Sequence, residues 1–175
     1  NYQEGTYNEN NQEMSTYGAL YNWWAATYPG AIKYGYLYNW WAATDARNIA
    51  PAGWHLPTAT EWETLRTYLI ANGYGYGGGG TDIAKSLAST SGWVVNAYVG
   101  TVGNDQMTNN SSGFNALSSS YRQANGAFHI GGYDTEFWSA TAFNVFDAYF
   151  SFLQSDQDFF GAGLDDAQSK QRGYA

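Results

Sequence analysis

Cysteine is absent from the 175 residues, which excludes disulfides, thiolate metal sites and thiol catalysis together. The compartment therefore cannot be read from redox chemistry. Basic residues are scarce: 7 Lys and Arg stand against 15 Asp and Glu, a formal net charge of -8. The clustered cations that neutralise nucleic-acid phosphates are missing, so no nucleic-acid partner is expected. The same deficit argues against an anionic membrane surface. No apolar run approaches the roughly 20 residues that span a bilayer, so no membrane insertion is expected. No basic-then-apolar segment opens the sequence, so any export signal is expected to have been removed or never present. Histidine occurs twice, as His55 and His129, without the i, i+4 spacing of a zinc-binding helix.

Aromatic side chains and glycine are abundant instead. Trp (8), Tyr (16) and Phe (9) make up 19% of the residues, and 21 are glycine. Disordered chains are poor in aromatics, so this one folds, and its length suits one domain with many short elements and turns. Tyrosine, serine, glycine and asparagine are what binding surfaces use, because Tyr gives large contact area at low entropy cost. The same composition also fits a β-rich core with glycine turns.

An internal repeat comes first along the chain: YGALYNWWAAT at 17–27 recurs as YGYLYNWWAAT at 34–44, with Ala19 against Tyr36 as the one difference. So close a match points to a recent copying event, and a solenoid would need about three or more repeats of at least 20 residues. Only one copy can occupy any given place in the fold. The second copy is followed closely by GWHLPT, so it is assigned the core position. Residues 1–33 are read as an N-terminal extension and 34–175 as the domain. The extra Trp23 and Trp24 are expected to extend the domain or contact a neighbouring chain, which allows a homo-oligomer.

GWHLPTATEWETL at 53–65 concentrates a histidine, a proline, two tryptophans and two glutamates. Pro57 cannot donate a ladder hydrogen bond and should end an extended segment, while Thr58-x-x-Glu61 fits a capping box. Trp62, Leu65 and Leu69 then follow at i, i+3, i+7, which predicts a one-faced helix of about 12 residues over 59–70. It stops at Asn72-Gly73, before the flexible YGYGGGG at 74–80. With no nucleophile pattern beside it, the stretch reads as scaffold: Glu61 caps the helix, Trp54 and Trp62 are core, and His55 is a hydrogen-bonded framework residue. Further on, 83–87 is a helical turn or short strand, SGWVV at 91–95 is strand-like, and NDQMTNNSSG is loop. Residues 113–117, 127–130, 136–141 and 147–153 are short strand candidates. The class is α+β, with helices near the front and short strands behind.

LYNWWA, GWHLPTATEW, SGFNAL, YRQANGAF, FWSAT and the Ala-x-x-x-x-Leu of AYFSFL together resemble the Fibrobacter succinogenes major paralogous domain, in order across roughly 34–174. That family is similar in turn to the formylglycine-generating-enzyme group. Both imply a C-type-lectin-like fold, with two helices packed on short, mostly antiparallel strands with long loops, the first helix at 36–43 and the second at 59–70. The chain departs from the enzymes in having no cysteine, so the resemblance implies fold and not activity, and no enzyme is expected. The lectin triplets Glu-Pro-Asn, Gln-Pro-Asp and Trp-Asn-Asp are absent as well. Asn104, Asp105, Asn109 and Asn110 are candidate oxygen ligands for Ca²⁺, which takes 6 to 8 of them, although such a polar loop is more often only solvated. No other cofactor is expected.

The C-terminal third carries the functional expectation. FNVFDAYFSFLQSDQDFFGAGLDD mixes aromatics with aspartates without the sustained alternation of a half-buried strand, so some aromatics should be exposed and mark a contact surface. The expected ligand face is Tyr133, Asp134, Phe143, Phe146, Asp147, Tyr149, Ser151, Asp156, Asp158, Phe159, Phe160, Asp165 and Asp166. Proteins of the C-type-lectin-like fold serve as display scaffolds for diversity-generating retroelements. The resemblance therefore implies a variable region at about 132–172, with Trp138, Ser139, Ala148 and Leu153 fixed. Glu136, Gln154, Gln157, Gln168 and Lys170, unreachable from an Asn codon by adenine changes, would be fixed too. On this reading the chain is an extracellular, cell-surface or virion binding module, a phage tail protein or adhesin that recognises a protein or glycan on a host cell. The alternative is a structural or assembly component of a virion or secreted complex.

Overall fold

A computed structural model describes residues 37–129 and 131–175; the extension 1–33, with the first copy of the repeat, lies outside the described residues. The chain is α+β, with few helices and a small antiparallel sheet. Short α1 (Trp40–Ala43) is capped by Asn39, whose side chain accepts from the Ala42 N–H. Its four residues are fewer than the expected 36–43, because Tyr38 is extended and pairs with Tyr174. The longer α2 (Ala59–Ala71) begins in the expected capping box: Thr58 accepts from Glu61 N, and the Glu61 carboxylate accepts from Thr58 N. Trp62 and Leu69 are buried on its inner face. The 83–87 segment resolves into a helical turn, α3 (Ala84–Leu87).

Strands β1 (Asp134–Ala142), β2 (Asp147–Gln154) and β3 (Ala167–Ser169) form an antiparallel sheet in the order β1-β2-β3. Trp138 lies opposite Phe150, and the register shifts between Trp138 and Ala142. β2 is therefore central and covered on both faces. Ala148 and Phe150 join Trp138, Ala43 and Tyr174 in one core, while Leu153 joins Trp62, Leu69, Ile83, Leu87, Trp93 and Phe160 in the other. Two covered faces are the physical reason for the irregular apolar pattern of this segment, since alternation belongs to strands with one wet face.

Three expected strands are not strands. At 113–117 the left-handed backbone of Gly113 and Asn115 (φ 80° and 60°) interrupts extension, leaving one bridge from Ala116 to Ala88. At 91–95 and 127–130 the pairing is to loops: Val94 N donates to Gly132 O and His129 N to Tyr121 O. Trp54 also departs from expectation. It is 72% exposed, on the turn before Pro57, whereas Trp62 and Trp138 are buried as framework.

Candidate functional site

The sheet divides the thirteen expected ligand residues. Phe143, Phe146, Asp147 and Tyr149 lie at or beside the β1–β2 tip, where Asn144 accepts from the N–H groups of Phe146 and Asp147. Phe143 and Phe146 are exposed, and Phe143 meets Tyr149 edge to face at 5.4 Å. Asp156 and Tyr133 sit at the other end of β2, a strand about 25 Å long at 3.3 Å per residue. There the Tyr133 hydroxyl donates to Asp156 at 2.7 Å, a bond that raises the tyrosine's pKa. Asp158 and Phe159 follow on the surface.

Three of the thirteen are not surface residues. Asp134 is 1% exposed, at the start of β1, and lies 2.9 Å from the His129 ring. Ser151 sits mid-strand in β2 and is fully covered. Phe160 packs on Trp62 at 6.0 Å. Asp134 and Ser151 belong to covered strands and Phe160 to the segment after β2, placements that one-dimensional spacing does not reveal.

Phe159, Phe160, Asp165 and Asp166 come together at a cleft of about 450 Å³ beside β2, also lined by Arg66, Ile70, Thr81, Phe152 and Gly161. The cleft exists because the chain doubles back. Gly161 pairs with Phe152 in both directions, N–H to O, at 2.8 and 3.2 Å. A β-carbon at Gly161 would stand 2.1 Å from the Phe152 ring, so only glycine lets this ring lie flat against the returning backbone. Phe152 meets Phe159 edge to face at 5.9 Å, giving the cleft an aromatic wall. Its polar side comes from α2: the Arg66 guanidinium bonds both Glu63 oxygens at 2.9 Å and reaches Asp165 at 3.0 Å. Arg66 holds the 161–166 turn to the helix in this way, and carboxylate and guanidinium stand beside an apolar surface. That pairing of aromatic area with directional donors and acceptors suits a polar ligand with an apolar face. Sequence reading missed Arg66, Ile70, Thr81 and Phe152. The one available signal was the i, i+3 pair of Glu63 and Arg66 at the edge of the face that carries Trp62.

The candidate calcium loop is organised around a resident cation. Lys85, 4% exposed, directs its ammonium to the carbonyl oxygens of Thr101, Asn104 and Asp105. The Asn109 amide donates to Ser89 O and Val102 O, and Asn110 bonds Asn115. These groups serve the fold, and among the described residues no group of three or more His, Cys, Asp or Glu is placed to hold a metal ion. His55 bonds Glu61 at 2.9 Å. The two bonds from Thr58, with that histidine, hold the Glu61 carboxyl down at about 2.

Behind the sheet lies a buried acidic pair. Burial pushes the Glu136 carboxyl up to about 7, against the Tyr174 hydroxyl that bonds it and with nearby Asp134 adding to the rise. Burial raises Asp134 too, opposed by His129. This group closes the domain, with Ala175 N donating to Glu136 O.

Among the described residues no helix is long and apolar enough to cross a membrane. Comparison with curated proteins and with solved structures returns no match. A family model does match, over residues 28–162, a span that takes in α1, α2 and α3, the β1–β2 hairpin and the aromatic wall of the cleft. The chain belongs to the Fibrobacter succinogenes major domain family.

Proposed function

We propose that the chain is a non-enzymatic binding module with a C-type-lectin-like fold, displayed on a phage tail or cell surface, that recognises a protein or glycan on a host cell. The observation that carries this reading is the cleft: a wall of Phe152 and Phe159 beside Arg66, Asp165 and Asp166. The lectin-like assignment draws support from the pairing of Tyr38 with Tyr174, near the two ends of the described chain. The absence of cysteine separates the chain from the chemistry of the formylglycine-generating enzymes. Diversification of 132–172 by a retroelement accords with Glu136 and Lys170, two positions that Asn-codon mutagenesis cannot reach, being buried structural residues, while Phe143, Phe146 and Phe159 are exposed.

The test is retention of the labelled chain on a printed saccharide array and on intact bacterial cells. Selective retention that Phe159→Ala abolishes supports the module. Equal retention of both proteins, or none, counts against it. A second reading, an assembly component, is favoured by one observation: Val95, Tyr98, Val99 and Met107 are all more than two-thirds exposed, an apolar set of the kind that interfaces cover. Sequencing the gene's surroundings separates the two, since a reverse transcriptase with a near-identical template repeat goes with the first reading and virion structural genes alone with the second.

A further inference from the structure

Residues 37–44 lie in a groove that reads them closely. Tyr38 exchanges backbone hydrogen bonds with Tyr174 at 2.8 and 2.9 Å, and Trp40 N donates to Lys170 O at 3.1 Å. The Trp40 indole donates to Ser139 O at 2.9 Å and the Trp138 indole to Tyr38 O at 2.8 Å. The Lys170 ammonium sits 4.3 Å from the centre of the Trp40 ring. Asn39 caps the turn, and Ala42 and Ala43 are buried.

Every one of these contacts falls on LYNWWAAT, and residues 20–27 spell the same eight residues. The single difference between the two copies, Ala19 against Tyr36, lies upstream of the octapeptide. Through these contacts the groove binds either copy with the same local energy. We propose that the groove is a peptide-binding site for LYNWWAAT and that the chain carries two interchangeable occupants for it, residues 37–44 and residues 20–27, exchanged by a register shift within one molecule.

What differs between the registers is the connection to α2, which is residues 45–58 in one and residues 28–58 in the other. Loop-closure probability falls as the three-halves power of length, so this lengthening favours 37–44 by about threefold. The local turn adds little, because the Arg47–Asp45 pair is solvent-exposed and such pairs contribute weakly. The copy on another molecule competes poorly with a tethered one, whose effective concentration is on the order of millimolar. About a quarter of molecules then hold 20–27 in the groove. This exchange is independent of what the cleft beside β2 binds.

The cysteine-free sequence permits a direct test. A β-carbon at Gly173 would stand 3.4 Å from that of Leu37, close to the spacing of a disulfide. Under mild oxidation at micromolar concentration, Leu37→Cys with Gly173→Cys should close an intramolecular disulfide. Leu20→Cys with Gly173→Cys should do so as well, several-fold more slowly. Failure of the second pair where the first closes, or its closure only as a dimer, overturns the proposal. Thermal melts give a readout free of disulfides. Ala42→Glu should lower the folding constant only about fourfold, a melting shift of about 2 to 3 °C, because 20–27 takes over. Ala25→Glu combined with Ala42→Glu should cost on the order of 10 °C or more. A single variant as damaging as the double, or a double as mild as the single, overturns the proposal.

Discussion

Replacing Glu136 by Gln should remove most of the pH dependence of stability between about pH 4.5 and 7. Glu136 is 7% exposed, and burial raises its carboxyl from 4.5 to about 7. The folded state therefore holds a proton that the unfolded chain has released over that window. Stability from this group is fully present below the unfolded value and is lost as pH rises through the folded one. A rise of that size corresponds to about 3 kcal/mol at 1.36 kcal/mol per unit. Asp134 is shifted in the same direction by burial, so some slope persists in the variant. Glu61 and Asp45, held down at about 2, act with opposite sign and at lower pH. The glutamine amide keeps the shape and can accept the Tyr174 hydroxyl bond without ionising. Urea melts of both proteins at pH 4.5, 6 and 8 measure the effect. The wild type should weaken as pH rises, the variant should weaken much less, and the two curves should diverge in the variant's favour at pH 8. Wild-type stability that climbs from pH 5 to 8, or a variant that is the weaker protein at pH 8, would refute the buried-proton reasoning.

Trp62→Ala should cost about 3 to 5 kcal/mol in a denaturant melt, because the ring touches Phe114, Phe137 and Phe160 and its N–H donates to Trp138 O at 3.2 Å; a loss under about 1 kcal/mol would place it outside the core. Trp54→Ala, at an exposed position, should change stability by about 0.5 kcal/mol or less in the same assay. Lys85→Met should destabilise by about 2 to 4 kcal/mol, since it strands the Thr101, Asn104 and Asp105 carbonyls without a donor. Hydrogen exchange should quicken in the 101–108 loop of that variant, and millimolar Ca²⁺ should leave the wild-type melting temperature unchanged.

The capping box, the extent of α2 and the two longer strands were legible because each is a local pattern: a Thr-x-x-Glu pair, an i, i+3, i+7 stripe, an aromatic run between turns. The cleft was only half legible. Phe159, Asp165 and Asp166 stand out in the sequence, but Arg66 and Phe152 join them only after α2 docks and Gly161 folds back on β2. Phe160 lines the cleft although it is buried, whereas Asp134 and Ser151 were misplaced for one reason. Their segments are covered by a core, and a strand buried on both faces loses the alternation that distinguishes inside from outside. Trp54 fails the other way, since a tryptophan in Trp-His-Leu-Pro reads as core until the structure is seen to leave it in solvent. That the Asn104 and Asp105 carbonyls accept from Lys85 was not legible either, because the lysine lies well before them in the sequence.

The most direct measurement is the affinity of wild type, Phe159→Ala and Leu153→Ala for whichever arrayed saccharide or intact cell retains the wild type, taken with each protein's melting temperature. A cleft that binds through its aromatic wall predicts that Phe159→Ala weakens binding by about 2 kcal/mol, roughly 30-fold, with the melting temperature nearly unchanged. Leu153→Ala, at a fully buried position, should lower the melting temperature first and leave the affinity of the folded fraction intact. Undiminished affinity in Phe159→Ala, with stability lost instead, would contradict the account by showing that the ring serves the core.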